Sequence, residues 1–218
     1  LAVNPSNLNV TQHLIQLYIQ QEQLEEALAL LQTLPAQGIE GREVRRKMGL
    51  NYLELERYDE AIREFTTLLS QDPQADTIRL YLATAYSEKK EYDRAIKEFS
   101  SISKTSPVYF DALGQLAFLY KEKGEPERGV SLRKDAIAAH PEKPELHLYL
   151  SGIYESLERN VEALKVLTDV DDKFPSNPAI QFRIAVLFDK TGDRDASIAR
   201  LKKVLVLSPN DAQALNYL

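Results

Sequence analysis

Histidine is the side chain best suited to acid–base or metal chemistry near neutral pH, and this chain of 218 residues has three of them, His13, His140 and His147. None has another histidine within four residues on one helix face, the spacing that lets a helix bind a metal. His140 and His147 flank a proline-rich turn that also carries Glu142 and Glu145. A metal site in this turn is one interpretation, but we expect two solvated loop histidines.

Other signs of chemistry are missing from the sequence. The chain has no cysteine, which excludes disulfides and thiolate metal sites and suits the cytoplasm and the periplasm equally. It has no Gly-rich phosphate loop and no Gly-x-Ser-x-Gly motif. We therefore predict no catalytic residue, no metal site and no cofactor, and so a chain that is not an enzyme.

Composition narrows the choice of partner. Hydrophobic residues make up 44% of the chain, enough for a substantial core. The 33 acidic and 27 basic residues give a net charge of −6, whereas a nucleic-acid binder needs a basic face that neutralises phosphates. No apolar run approaches the roughly 18 residues of a membrane span. We therefore expect a soluble chain that neither binds nucleic acid nor inserts into a membrane, in the cytoplasm or the periplasm.

One aromatic residue recurs every 34 residues along the chain, which is the strongest pattern in the sequence. The series is Tyr18, Tyr52, Tyr86, Tyr120, Tyr154 and Phe188. A proline follows the same period at Pro73, Pro107, Pro141, Pro175 and Pro209. Because two residue types share one register, we interpret the chain as an array of repeats and number each repeat so that the aromatic is position 11.

The repeat positions predict a pair of helices in each repeat. Positions 4, 7, 8 and 11 have the spacing of one helical stripe, and positions 20, 24 and 27 that of a second. Pro126, Pro144 and Pro178 fall at helix starts, and residues 56–61 are expected to supply the turn between two helices. Small residues at positions 8 and 20 should let the helix axes approach closely, as at Gly49, Ala83, Ala185, Ala27, Ala61, Ala95 and Ala163.

With these residues in place, the sequence resembles the tetratricopeptide repeat family, whose pattern is Leu-Gly, Tyr, Ala, Phe and Pro at the same spacings. The Trp that the family places at position 4 is absent from all six repeats. The resemblance implies an all-α fold, a right-handed α-solenoid of antiparallel helix pairs without β-strands. The expected units are a repeat tail at 1–7, repeats at 8–41, 42–75, 76–109, 110–143, 144–177 and 178–211, and the start of a truncated repeat at 212–218.

Two repeats depart from the pattern. In the first, residues 34–41 lack the closing proline and should end the second helix early with a looser connection. The fourth has Gly129 at position 20 and Arg133 at position 24, where an apolar residue is expected. We expect a weaker repeat whose arginine side chain reaches solvent. The alternative is a hinge or an extra contact point.

The resemblance also implies a binding surface, because in this family the first helices of successive repeats line a concave groove. We carry the groove positions onto this chain and predict that the groove is partly apolar with an acidic outer edge. Some of these apolar residues could instead pack against the neighbouring repeat. The predicted groove residues are Leu50, Leu80, Tyr81, Phe118, Leu148, Tyr149, Phe182, Val186, Glu54, Glu88, Glu122 and Glu155.

These positions favour a scaffold that binds a peptide or helical segment of a partner protein in the groove. The partner is expected to carry apolar anchors with basic flanks, and contacts through the open ends of the array are also possible. The lysine and asparagine with which some family members hold a terminal carboxylate, at positions 5 and 9, do not occur together here. The alternative function is a regulatory or positioning region of a larger enzyme or of a secretion or assembly machine.

Overall fold

The computed structural model of the protein describes residues 8–34 and 38–218. These residues form thirteen α-helices and contain no β-strand, which confirms the predicted all-α class. Their bounds are α1 Leu8–Gln20, α2 Leu24–Leu31, α3 Gly38–Glu54, α4 Tyr58–Gln71, α5 Asp76–Glu88, α6 Tyr92–Ser100, α7 Tyr109–Glu122, α8 Pro126–Ala139, α9 Pro144–Ser156, α10 Asn160–Thr168, α11 Pro178–Lys190, α12 Arg194–Leu207 and α13 Ala212–Tyr217.

The chain divides into two compact units, residues 1–119 and 120–218. In the first unit α1 packs on α2, α2 on α3, α3 on α4, α4 on α5 and α5 on α6. In the second unit the same order runs from α8 through α13. Each helix thus buries its apolar stripe against its neighbours in sequence, as expected for stacked helix pairs.

A tight turn that recurs every 34 residues joins the helices of each pair. Position 15 has a positive φ each time, between 57° and 93°, and the next amide donates to the carbonyl of the position-11 aromatic at 2.7 to 2.9 Å. This is the Schellman closure of a helix C-terminus. The closure makes the turn shorter than we expected from residues 56–61, because α4 already begins at Tyr58. The residues at position 15 are Glu22, Glu56, Lys90, Gly124, Glu158 and Gly192.

Close helix packing depends on the small residues at positions 8 and 20. Ala27, Ala61, Ala95 and Ala163 are fully buried. A Cβ added at Gly49 would lie 2.5 Å from Cε1 of the buried Phe65 ring. A larger residue would overpack this contact at a cost of about 1–3 kcal/mol. The predicted close approach is therefore confirmed at these positions.

Polar pairs replace the missing Trp at position 4 in several helix pairs. Arg45 of α3 donates to Glu64 of α4 at 2.7 Å, and Arg79 of α5 donates to Glu98 of α6 at 2.8 Å. Both pairs are mostly buried and join a position-4 side chain to the residue 19 positions later. These ion pairs were not predicted from the sequence, because only the packing of two helices brings the partners together.

The second helix of the first pair ends early, as predicted, but the same is true of α6 and α10, which are only one residue longer. The second helix, α2, is short and ends at Leu31. The following helix, α3, begins at Gly38, four residues before the predicted repeat start at 42. The looser connection that we predicted for residues 34–41 falls largely on residues 35–37, outside the described part of the chain.

Candidate functional site

Of the predicted apolar groove residues in the first unit, one is widely exposed and three are half-buried. The side chain of Phe118 on α7 is 51% exposed. Leu50, Leu80 and Tyr81 are half-buried, and the Tyr81 ring lies 5.6 Å from the core ring of Phe65. Leu50 and Tyr81 therefore stabilise the fold as well as facing outward, which matches the expectation that some groove positions pack against a neighbouring repeat.

A cavity of about 700 Å³ opens between the first two helix pairs of this unit. Two of the predicted groove residues, Leu50 and Glu54, line this cavity. Ile19 and Leu24 add apolar surface, and Lys47 and Glu22 add charge. The full lining is Ile19, Glu22, Leu24, Lys47, Leu50, Asn51 and Glu54.

Asn51 is a buried polar residue of this lining that was not predicted from the sequence. It occupies position 10 of its repeat, where the other repeats carry Leu17, Ala85, Leu119, Ile153 and Leu187. Asn51 is only 4% exposed, and its Nδ2 has no hydrogen-bond partner among the described residues. The signal in the sequence was a single amide in an otherwise apolar column of the repeat alignment.

In the second unit, Tyr149 is the most exposed of the predicted apolar groove residues. Its side chain is 57% exposed, and the Arg133 guanidinium lies 5.1 Å from its ring centroid. Arg133 itself is 3% exposed. The expectation that Arg133 reaches solvent was wrong, because its cation packs against the Tyr149 ring of the neighbouring helix α9 in a cation–π contact.

A second cavity of about 700 Å³ lies beside Tyr149. The half-buried Leu148 and Phe182 line it together with Tyr149, whereas Val186, also half-buried, is not part of the lining. The remaining lining residues were not selected from the sequence and come mainly from the starts of α11 and α13, namely Asn177, Pro178, Ala179, Arg183, Asp211 and Gln213.

The predicted acidic edge is present at three of its four positions. Glu54, Glu88 and Glu122 are exposed, and no ion pair among the described residues involves them. Glu155 differs, because its side chain is only 9% exposed and pairs with Arg183 at 3.3 Å and Lys190 at 2.8 Å. Two cations share this one carboxylate, so Glu155 does not contribute a free negative charge to the edge.

Only one of the two histidines that were predicted to be solvated loop residues lies in a loop. His140 lies in the loop after α8, partly exposed, with Nδ1 3.6 Å from the Glu142 carboxylate. His147, in contrast, is a buried residue of α9 and not a solvated loop residue. Burial lowers the pKa of His147, while a hydrogen bond to the Pro141 carbonyl acts to raise it and the Lys173 charge to lower it further. The ring packs 5.9 Å from that of Phe174.

Within residues 8–34 and 38–218, the structure contains no group of three or more His, Cys, Asp or Glu side chains that could hold a metal ion. None of the helices described here has both the length and the apolar character needed to cross a membrane.

Solved structures similar to this chain share its fold at low sequence identity. A tetratricopeptide repeat protein from Parabacteroides merdae is 17% identical with a TM-score of 0.57, covering 98% of this chain and 84% of that one. MamA from Desulfovibrio magneticus is 15% identical with a TM-score of 0.54, over 78% and 97%. YrrB, described as a TPR protein with an unusual peptide-binding site, is 15% identical with a TM-score of 0.51, over 84% and 92%.

The family of the chain is shown by its sequence. No curated protein sequence matches the chain. A tetratricopeptide repeat model matches residues 1–46 and 52–117, and a second tetratricopeptide repeat model matches residues 115–178. The first model alone accounts for more than half of the chain. Together with the helix pairs and their 34-residue period, this match shows that the chain belongs to the tetratricopeptide repeat family.

Proposed function

We propose that this protein is a binding scaffold that holds a segment of a partner protein against the first helices of its repeats, and that it does not catalyse a reaction. Proteins of this family generally mediate protein–protein interactions, and YrrB is described as having a peptide-binding site. The observation that carries the proposal is the exposure of two aromatic groove residues, Phe118 at 51% and Tyr149 at 57%. Large exposed aromatic side chains favour a contact surface, because they desolvate well when a partner covers them.

Exposed carboxylates on the first helices favour a partner with basic flanks. Glu54, Glu88 and Glu122 are exposed carboxylates without an ion pair among the described residues. Such charges mainly speed encounter with a basic segment, and salt screens them. The apolar anchors of the partner then supply most of the affinity, which we expect in the micromolar range, about −8 kcal/mol.

Panning a random peptide library displayed on phage against the purified full chain tests this function. We expect enrichment of peptides that combine aromatic or aliphatic anchors with Lys or Arg. Tyr149→Ala should weaken binding of the selected peptides about tenfold at any salt concentration, since it removes a desolvated anchor contact. Replacing Glu88 and Glu122 by Gln should weaken binding chiefly at low salt. Affinities are measured by isothermal titration calorimetry at two salt concentrations.

The matched control is Val161→Ala. Val161 is 69% exposed on α10, a second helix outside the predicted groove, and its replacement should leave binding unchanged. The proposal fails if selected peptides bind the Tyr149→Ala and Phe118→Ala variants as tightly as the original protein. The contact would then lie on the second helices or at the ends of the array.

A further inference from the structure

The cavity between the first two helix pairs combines apolar walls with polar groups that the fold leaves unsatisfied. Ile19, Leu24 and Leu50 supply the apolar part. The Asn51 amide is 96% buried, because only 4% of the residue is exposed, and its Nδ2 has no hydrogen-bond partner among the described residues. A buried donor without a partner is costly, on the order of 1–3 kcal/mol. Other buried polar atoms of the described residues also have no partner, but Asn51 is the one among them that lines this cavity.

Three charged side chains around the same cavity are also without ion pairs. Lys47, Glu22 and Glu54 line it, and none takes part in an ion pair among the described residues. The neighbouring Arg46 behaves differently, since its guanidinium is held by both carboxylate oxygens of Glu43 at 2.7 and 2.9 Å. The Lys47 charge also acts on Glu43 and helps Arg46 to lower the pKa of that carboxyl. The cavity therefore presents one ammonium and two carboxylates that hold no ion pair among the described residues.

These groups have a definite order along α3. Lys47, Asn51 and Glu54 follow each other at helical spacing on one face, so the positive and negative ends are about 10 Å apart at 1.5 Å per residue. An extended peptide rises about 3.3 Å per residue, and its alternate side chains share a face. In a peptide with an acid, an aliphatic residue and a base at alternate positions, the acid and the base are about 13 Å apart. Flexible charged side chains can bridge the difference between this distance and the one between Lys47 and Glu54.

The unsatisfied amide favours an extended ligand over a helical one. A helix satisfies its own backbone hydrogen bonds along its length, whereas an extended segment offers free carbonyl and amide groups. A side-chain amide can donate to one such carbonyl and accept from one amide.

We propose that this cavity binds an extended peptide segment in which an acidic residue, an aliphatic residue and a basic residue occupy alternate positions. Asn51 holds the main chain beside the aliphatic anchor, Lys47 pairs with the acid, and Glu54 with support from Glu22 pairs with the base. The inference rests on the proposed binding function and adds the conformation and sequence pattern of the segment that the first unit takes.

The probe is a fluorescein-labelled, acetylated and amidated peptide, Gly-Glu-Thr-Leu-Thr-Lys-Gly, whose threonines disfavour a helix. Fluorescence anisotropy with the full chain measures its affinity. Asn51→Leu is expected to weaken binding about tenfold and to raise the melting temperature, since leucine suits this apolar column. Loss of binding with higher stability separates a ligand contact from a structural role.

A charge swap provides the second variant. Glu54→Lys should weaken binding of the probe about tenfold, and a peptide with Glu in place of its Lys should recover that loss on the Glu54→Lys variant. A helix-forming peptide of the same charges, with Ala in place of Thr, should bind the original protein more weakly than the probe. Equal binding of the two peptides, or unchanged binding by Asn51→Leu, would overturn the inference.

The two proposals can fail separately. If peptides selected by phage display bind and depend on Tyr149 while the probe does not bind, the scaffold function stands and the first-unit site is wrong. If neither the selected peptides nor the probe bind, both proposals are wrong.

Discussion

His147 and Asn51 are polar side chains at helix positions that the repeat pattern marks as buried. Their neighbours explain the difference between them. His147 hydrogen-bonds the Pro141 carbonyl and packs on Phe174, although its Nε2 has no partner among the described residues. Asn51 also has a buried nitrogen without a partner, but it lines a cavity. Residue type at a buried position therefore does not distinguish a structural role from a binding role. The contacts of the side chain make that distinction.

The depressed pKa of His147 predicts a loss of stability in mild acid. Burial is the main cause of the depression from the ordinary value of 6.5. As the pH falls below about 6.5, the unfolded chain therefore binds a proton before the folded one does. Neutral His147 therefore makes its full contribution to the free energy of unfolding above pH 6.5. Below that pH the contribution falls by at most about 1.4 kcal/mol per pH unit.

Urea unfolding between pH 7.5 and 5.0 gives the free energy of unfolding of the original protein and of the His147→Leu variant. The difference between these two free energies at each pH measures the effect. We expect that difference to shift in favour of the variant as the pH falls, since leucine binds no proton. His140→Gln is the control, because it removes a histidine from the partly exposed loop after α8. Parallel pH curves for the original protein and His147→Leu would contradict the prediction.

At the scale of the helix, the ends of the first helices decide how tightly each pair closes. All six described ends use a residue of positive φ at position 15, but only Gly124 and Gly192 are glycines. Glu22, Glu56, Lys90 and Glu158 adopt the left-handed conformation at a cost of about 1–2 kcal/mol each. These four positions persist because the Schellman hydrogen bond and the packing of the following helix require the reversal.

Two glycines of the second unit form a matched test of this turn geometry. Gly192 has φ of 93°, whereas Gly152 lies inside α9, and a Cβ added at either would meet nothing within 4 Å. Gly192→Ala should therefore lower the free energy of unfolding by about 1 kcal/mol through backbone strain alone. Gly152→Ala should raise it by about 0.5–1 kcal/mol, because alanine is the better helix former.

Thermal and urea unfolding of both variants check these opposite signs. A third variant, Glu158→Gly, extends the test and should be neutral or stabilising, since it removes a left-handed glutamate whose φ is 61°. If Gly192→Ala were as stable as the original protein, the turn would not depend on its left-handed residue.

For the whole molecule, stability in a stacked array comes from each repeat and its contacts with neighbours. The boundary between the two compact units, after Leu119, falls inside the repeat predicted at 110–143. That repeat also has a glycine, Gly129, inside α8 and a buried arginine, Arg133, in place of an apolar residue. Glycine costs about 1 kcal/mol in a helix interior, and burying a guanidinium carries a desolvation penalty.

We therefore predict that residues 110–143 exchange their amide hydrogens faster than the repeats on either side. Native-state hydrogen exchange followed by mass spectrometry measures this directly. Gly129→Ala should slow exchange in α8 by raising local helix stability, since four other repeats carry alanine at the same position. Finding this repeat to be the best protected in the chain would refute the prediction.

The fold class and helix pairing were predictable from the sequence. The period of 34 residues, the small residues at positions 8 and 20 and the recurring prolines are local signals, because each reflects the geometry of one helix or one turn. The glycine–aromatic contact between Gly49 and Phe65 is an example, since position alone predicted that a larger residue would not fit. The sequence also selected Phe118 and Tyr149, which are widely exposed in the structure.

Only the tertiary structure decided which charges are free and which buried polar groups have partners. Glu155 was predicted to belong to the same acidic edge as Glu122, but it is neutralised by Arg183 and Lys190 of α11. Arg133 was expected to reach solvent, and it is buried against Tyr149. In both cases the partner comes from a different helix. Ion pairing and burial depend on distances between side chains of packed helices, whereas a repeat pattern records only positions along the chain.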